Sequence, residues 1–475
     1  MKYLCIKIFN YLKNNLLYNI SFGLIIIFYI FTRVWMYHKF GDIAFGYDTG
    51  IYRHYIIGYF ERMGDSGLVP FGFAYFSNLL RLLGLSVHFI MYDFYILLSI
   101  ANAWMFFCVV KIFSKNKYIA LLALFLFSIS IVQFEFFWWY YYRNFLSLFF
   151  LLLSLYLFEK KSYWMIASLF VAGTVHPLTY VFVSVAGFIY SFFDKDKRKF
   201  IWISGVLSLS LVLLLNYQEW LGYLTTAFLK NGYTFQSSNS VDEFSGQFIS
   251  YKFFLRNSFI YLPFASLGFV KFWKKHLLFT ILLLFTLLLL FFKVLFFKRF
   301  FIFLDLSVLF FASFGLYLVV DFFHKKSNLW RYLFYVFFCL YAFGSIYLNS
   351  NYVFSKNTII SIDDIDAISF IDYDLPEDSY LLSISSTYGP WLYGFTNAKV
   401  ISPGLFEYDK WSYSDWQIFW YSYDVEKVKK LFEVYETNEM YIYTGKKFNK
   451  FGNFLSINDW CEHLDIYLWK CKLQK

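Results

Sequence analysis

The sequence predicts an α-helical polytopic membrane protein of about 11 transmembrane helices, with a small C-terminal extracytoplasmic α/β domain. Three observations carry that prediction. Of the 475 residues, 60% are hydrophobic and only 16% are charged, against roughly 25% charged in soluble globular chains. Eleven apolar runs, each long enough or nearly long enough to cross a bilayer, follow one another before the tail. Counted as eleven crossings, they put the lysine clusters between them on one face, as the cytoplasmic bias of Lys and Arg requires.

The runs lie at about Ile20 to Tyr37, Phe94 to Phe113, Tyr118 to Phe134, Asn144 to Phe158, Tyr163 to Thr174 and Pro177 to Phe193. Five more follow, at about Phe200 to Asn216, Phe259 to Trp273, Leu277 to Phe292, Phe300 to Phe323 and Tyr332 to Leu348. The basic groups sharing one face are Lys2/Lys7/Lys13, Lys115/Lys117, Lys160/Lys161, Lys195 to Lys199, Lys274/Lys275 and Lys325/Lys326. Merging any neighbouring pair of runs would send some of them to the opposite face. The expected topology is therefore a cytoplasmic N-terminus and an external C-terminus in the cell membrane. The first run is followed by charged and aromatic residues rather than by small residues fit for signal cleavage, so the first helix is expected to stay.

Charge divides the chain the same way. The formal net charge of +10 combines +16 over residues 1–350 with −6 from Asn351 onward, where 12 basic residues face 18 acidic ones. We read residues 1–350 as a transmembrane domain with a long first external loop (38–93), and 351–475 as an extracytoplasmic domain. The basic residues serve as topology signals, and nothing resembles the clustered footprint of a nucleic-acid binder. Phe (67) and Tyr (43) are so frequent that aromatic stripes carry no functional weight.

Two stretches of the first loop, Ile51 to Met63 and Phe71 to Leu85, mix apolar and charged residues as interfacial helices do. A second external segment, Tyr217 to Asn257, is polar and reads as a mobile loop. In the tail, strand-like runs at Ser379 to Ser385, Met440 to Tyr443 and Ile466 to Trp469 accompany a helical stretch from Val425 to Tyr435. Cys461 and Cys471 lie in the tail, where a disulfide is open to them although no framework spacing demands it.

The residues able to carry chemistry sit at the ends of the apolar runs. Asp48, just outside the first span, is followed by a helical pattern. It is either the cap of that helix or a carboxylate beside Arg53 and His54, suited to general-base or metal-ligand work. Glu135 and Arg143 flank the next external turn, near enough to the apolar zone to need each other or a cavity. Lys298 and Arg299 fall outside, against the positive-inside bias. They read as snorkelling anchors or as a clamp for a lipid phosphate. His176, before Pro177 at a turn, is either a satisfied structural residue or a ligand. No phosphate-binding glycine loop, zinc spacing or nucleophile elbow occurs.

This layout resembles the GT-C class of membrane glycosyltransferases, which includes oligosaccharyltransferase catalytic subunits and protein mannosyltransferases. The matching segments are Tyr47-Asp48-Thr49-Gly50-Ile51-Tyr52, Glu135 through Arg143-Asn144, His176-Pro177, Arg299-Phe300-Phe301 with Asp305, and Tyr388 to Thr396. The resemblance spans the whole chain in layout and is loose in sequence. It implies transfer of a sugar or glycan from a polyprenyl-phosphate-linked donor to a glycan, lipid or protein acceptor at the external face. Asp48 and Glu135 would be catalytic, sharing a divalent metal (Mg or Mn). Arg53, His54, Arg143, His176, Lys298 and Arg299 would bind substrate and membrane lipid. The Tyr388 to Thr396 segment lacks the Asp of the Trp-Trp-Asp motif of oligosaccharyltransferases, which puts transfer to protein asparagine in doubt. A lipid-linked glycan transporter or flippase, and a non-catalytic membrane scaffold, are the competing readings.

Overall fold

The structure is a computed structural model. It describes residues 16–40, 46–58, 71–229, 249–293, 297–376, 379–403, 408–422, 424–448 and 461–473. Apolar sequence in a bilayer must satisfy its own backbone, so helices dominate. In chain order the first nine are α1 (Leu16–Phe40), α2 (Thr49–Gly58), α3 (Phe71–Leu82), α4 (Val87–Met91), α5 (Asp93–Ser114), α6 (Lys117–Ile129), α7 (Ile131–Trp138), α8 (Tyr142–Glu159) and α9 (Trp164–Val175). Then come α10 (Pro177–Ser191), α11 (Lys195–Leu229), α12 (Tyr251–Ser258), α13 (Leu262–Phe272), α14 (Leu277–Phe291), α15 (Phe301–His324) and α16 (Asn328–Ser355).

Each of the eleven apolar runs coincides with one of these helices or with a bent pair. Among the described residues, six helical segments are long and apolar enough to cross a membrane, or up to eight if the bent pairs α6–α7 (51°) and α12–α13 (85°) each count as one. Helices α9 (12 residues), α10 (15) and α14 (15) are shorter. At about 1.5 Å per residue they fall short of a hydrocarbon core of about 30 Å. The interfacial stretches contain α2 and α3, and α3 turns Tyr75 and Leu79 outward while burying Phe73 and Ala74. Residues 59–70, and 230–248 of the second external segment, lie outside the described residues.

The bend between α6 and α7 has a specific cause. Ser130 interrupts the helix with extended backbone (φ −67°, ψ 113°) and its hydroxyl caps α7 by accepting from the Gln133 amide at 3.1 Å. The carbonyl of Ile129 freed by the break accepts from the Asn349 side chain at 3.0 Å. Asp305, fully buried on α15, then receives Ser130 Oγ at 2.8 Å, Gln133 Nε2 at 2.9 Å and the Tyr261 hydroxyl at 2.5 Å. The freed Ile129 carbonyl and the Ser130 and Gln133 side chains are thus bonded by neighbouring helices, as a non-aqueous surrounding favours. The bend aims α7 at the turn that carries Trp138 to Tyr142.

Beyond α16 the chain forms α17 (Ile362–Asp374), β1 (Tyr380–Ser383), α18 (Gly389–Phe395), β2 (Lys399–Ile401), α19 (Tyr413–Tyr421), α20 (Val425–Phe432), β3 (Glu439–Tyr443), β4 (Cys461–Asp465) and β5 (Leu468–Lys472). The sheet order is β2-β1-β3-β5-β4, with β1 parallel to β2 and β3, and β5 antiparallel to β3 and β4. Strand alternation sorts its two faces. Leu382, Ile401 and Ile442 pack with Trp416 of α19 and Phe432 of α20. Leu381, Val400 and Tyr441 pack with Ile368 of α17 and Trp391 of α18. Cys461 and Cys471, opposite each other on β4 and β5, form a disulfide. Strands β2 and β4 went unread in the sequence, β2 being three residues long and β4 largely exposed.

Candidate active site

The turn before α2 is built on Gly46 and Thr49. The Thr49 hydroxyl donates to the Gly46 carbonyl at 2.7 Å and accepts from its amide at 3.0 Å. A β-carbon on Gly46 would collide with the backbone of Trp138 and Trp139, so the turn lies directly on the α7–α8 connection, and the Asp48 amide reaches the Trp139 carbonyl at 3.5 Å. That connection contains Tyr140 in the left-handed region (φ 62°), costly for a bulky side chain. Packing holds it there. The buried Tyr140 hydroxyl donates to Met91 O, its neighbour Tyr142 to Ile90 O at 2.6 Å, and Tyr95 to Phe137 O at 3.1 Å, with the Tyr95 and Phe137 rings stacked 4.9 Å apart.

Three chain segments bring their end residues to this turn. Arg143, in the first turn of α8, donates its amide to the Tyr52 hydroxyl at 3.3 Å and its Nε to Val175 O at 2.9 Å. His176 joins α9 to α10, with Nδ1 2.7 Å from the Thr179 hydroxyl and a buried Nε2 that has no partner among the described residues. Arg299, on the 3-10 turn Phe297–Phe300 that leads into α15, lies with its guanidinium 5.9 Å from the centre of the Tyr141 ring. Lys298 of the same turn is half-buried.

Electrostatics ties these groups to Asp48. Burial pushes the Asp48 carboxyl up to about 7, against the opposing pull of Arg299 and Arg143. Burial and then the same two guanidiniums push the His176 imidazole down, which keeps it neutral. The Tyr52 and Tyr141 hydroxyls are pushed up by burial and by the Asp48 charge. Asp48, Arg143, His176 and Arg299 therefore share one neighbourhood. The Asp48 carboxylate accepts no amide of α2 among the described residues, so it is not spent on capping that helix.

The structure corrects three other expectations. Arg53 and His54 lie not with Asp48 but on the side of α2 that meets α18. Arg53 donates to Gly394 O at 2.5 Å with its guanidinium 4.2 Å from the Phe395 ring centre. His54 stacks on Tyr393 at 3.9 Å with Nδ1 3.2 Å from Tyr393 O. The reason is helical phase: at 100° per residue Tyr52 returns to the face of Asp48, and the next two positions rotate away. Glu135 pairs with Lys356 at 2.6 Å and accepts from the Tyr352 hydroxyl at 2.5 Å, rather than pairing with Arg143. A carboxylate with only 6% of its side chain exposed needs a counter-charge, and the end of α16 supplies it.

The third concerns the metal. Among the described residues no three of His, Cys, Asp and Glu gather where they could hold an ion. Asp48 faces two guanidiniums, which repel a dication, and Glu135 is neutralised by Lys356. The residues present do not fit a Mg or Mn ion shared by Asp48 and Glu135.

The sequence reading also passed over Arg33. It is fully buried in α1, its guanidinium 4.2, 5.1 and 5.2 Å from the ring centres of Tyr29, Phe134 and Phe137. Nη1 donates to the Thr32 hydroxyl at 2.9 Å, while Nε and Nη2 have no partner among the described residues. Aromatic faces stand in for an anion there, and two of the three rings belong to α7. A charge inside an apolar run was the available signal, hidden by averaging over its neighbours.

The multi-helix bundle is similar in fold to solved membrane glycosyltransferases of the GT-C type. An oligosaccharyltransferase from Archaeoglobus fulgidus, solved with zinc and sulfate, matches with a TM-score of 0.60 at 12% identity, over 91% of this chain and 69% of its own. ArnT from Cupriavidus metallidurans, solved with undecaprenyl phosphate, matches with a TM-score of 0.49 at 11% identity, over 97% of this chain and 98% of its own. No protein-family model matches the sequence, and no curated protein matches it.

Proposed function

We propose that the protein is a membrane glycosyltransferase that moves a sugar or glycan from a polyprenyl-phosphate-linked donor to an acceptor at the external face. The observation that carries the reading is the half-buried Asp48 carboxylate that feels Arg299 and Arg143, with neutral His176 beside them. The fold similarity to an oligosaccharyltransferase supports it.

In this scheme Asp48 takes the proton of the acceptor group as that group attacks the anomeric carbon of the donor sugar. The bond from that carbon to the phosphate oxygen breaks, and the electron pair leaves with the phosphate. Arg299 and Arg143 hold the charge that develops there, Arg being fitted to the planar fork of phosphate oxygens. If the Thr179 hydroxyl donates to Nδ1 of His176, the proton of that ring sits on Nε2 and faces the same anion. Among the described residues, Glu135 is tied to Lys356 and is not free to act as a nucleophile. With Asp48 as the base, the displacement in this scheme is direct and inverts the anomeric configuration. No step runs through a metal.

The same reading takes the eleven apolar runs as eleven crossings, residues 1–350 as the membrane domain, and 351–475 as an external domain whose helix α18 packs on α2. The Cys461–Cys471 disulfide supports the external placement, because such bonds persist in oxidising compartments. The test is transfer from a polyprenyl-phosphate-linked sugar in proteoliposomes by wild type and Asp48→Asn. Loss of about 10²–10⁴-fold in the variant is expected for a lost general base. Donor movement across the bilayer with no new glycosidic bond would instead establish a flippase.

A further inference from the structure

Helices α8, α9, α10, α11 and α14 line a cavity of about 370 Å³ that the proposed reaction does not use. Its wall includes Leu155, Leu169, Val183, Ile201 and Leu278, with almost no polar surface. Water gains no partners in such a space. The mouth opens sideways: Phe188, Trp202 and Val206, which also line it, are 45%, 45% and 56% exposed on the outer faces of α10 and α11. In a bilayer that mouth faces hydrocarbon.

The two ends of the cavity differ. Towards Asp48, Tyr180 and Trp220 meet edge to face at 5.7 Å, and the Tyr180 hydroxyl is tied across to Ser208 Oγ at 2.9 Å and Gly205 O at 3.2 Å. Towards the opposite end of the bundle the wall finishes at Phe158 and Met165, beside the α8–α9 and α10–α11 connections. Those connections and the first turn of α11 carry Lys160, Lys161, Lys195, Lys197, Arg198 and Lys199 against three acids, Glu159, Asp194 and Asp196. Lys197 pairs with Glu159 at 2.6 Å and lies 4.5 Å from the ring centre of Phe158, so the basic rim touches the cavity wall. Lys160, Lys161, Lys195 and Lys199 are exposed.

We infer that this cavity holds an acyl chain of an acidic glycerophospholipid, whose phosphate headgroup sits on the rim formed by Lys160, Lys161, Lys195 and Lys199. Apolar wall, lateral mouth and net positive rim match the three parts of such a lipid. The site lies at the other end of the bundle from Asp48, which separates it from the donor's phosphate. The inference does not depend on the reaction proposed above.

Gly205 supplies a clean probe. It lines the cavity, and a β-carbon added to it meets nothing within 4 Å, so Gly205→Leu fills the space without moving backbone and improves helix propensity. The full-length protein would be placed in nanodiscs of mixed phosphatidylglycerol and phosphatidylcholine, released, and weighed intact by native mass spectrometry. Wild type is expected to retain one phosphatidylglycerol per chain. Gly205→Leu should lower that retention at least about tenfold. The combined Lys160→Gln, Lys161→Gln, Lys195→Gln and Lys199→Gln variant should weaken it by about a hundredfold or more, at several-fold per basic group. Equal retention of both lipids by wild type, or phosphatidylglycerol retention that survives the rim substitutions, overturns the proposal. So does a retained polyprenyl phosphate that Gly205→Leu expels. If Gly205→Leu fails to fold, the rim variant decides alone.

Discussion

Gly50 and Gly394 meet backbone to backbone: a β-carbon built on Gly394 would fall on the carbonyl of Gly50, and one built on Gly50 would fall on the carbonyl of Pro390. Helix α2, which begins next to Asp48, is thereby pressed onto α18, far along the chain. Tyr47 adds a hydrogen bond to Ser386 O at 2.9 Å, and Arg53 and His54 grip Tyr393 to Phe395. The position of Asp48 thus depends on the C-terminal part of the molecule.

Gly394→Ala should destabilise the protein by about 1–3 kcal/mol, the usual cost of forcing atoms into a filled contact. It should lower sugar transfer more than it lowers folding, because α2 carries Asp48 with it when it shifts. Thermal unfolding in detergent and transfer per folded molecule would be measured side by side. A folded variant with wild-type transfer would remove α18 from the positioning of Asp48.

Asp48 titrates where it matters. With its carboxyl pushed up to about 7 by burial, the base form grows as pH rises, so transfer should climb through a limb near pH 7. Asp48→Asn should lack that limb along with the activity. Stability moves the other way. The folded-state value lies above the ordinary 3.8, so the folded protein holds the proton more tightly than the unfolded chain. That contribution is full below about pH 4 and is lost as pH rises through about 7. Melting temperatures of wild type should therefore fall between pH 5 and 8 relative to Asp48→Asn.

Glu135 and Lys356 form a buried pair whose single members leave an uncompensated charge. Lys356→Met should cost about 3–5 kcal/mol, and the double variant Glu135→Gln with Lys356→Met should cost less than the single losses combined. Unfolding of the four proteins in a double-mutant cycle measures the coupling. A stable Glu135→Gln protein with no transfer activity would return Glu135 to the chemistry.

Arg299→Ala should lower kcat/KM for the lipid-linked donor by about 10²–10³, the range for losing one group that holds developing charge. Arg299→Lys should recover only part, since an ammonium cannot present two parallel donors. Steady-state kinetics with the donor varied would check both, and full recovery by Lys would show that a point charge suffices.

Hydropathy and the placement of lysines specify the membrane class and the positions of eleven apolar runs, because partition into a bilayer depends on local composition. Chemistry was legible only as isolated polar residues at run ends: Asp48, Arg143, His176 and Arg299 are each ordinary in their own segment. What assembles them is the bundle, through the bend at Ser130, the left-handed turn at Tyr140 and the packing of Gly46 on Trp138. Proximity along the chain misled at Arg53 and His54, which follow Asp48 closely yet rotate onto α18. Lys356, which decides the fate of Glu135, stands too far along the chain for any spacing argument. Sequence by itself determined which segments leave water, a sum over neighbouring residues. Only the tertiary structure decided which charges meet, because that depends on helix phase and on contacts between distant segments.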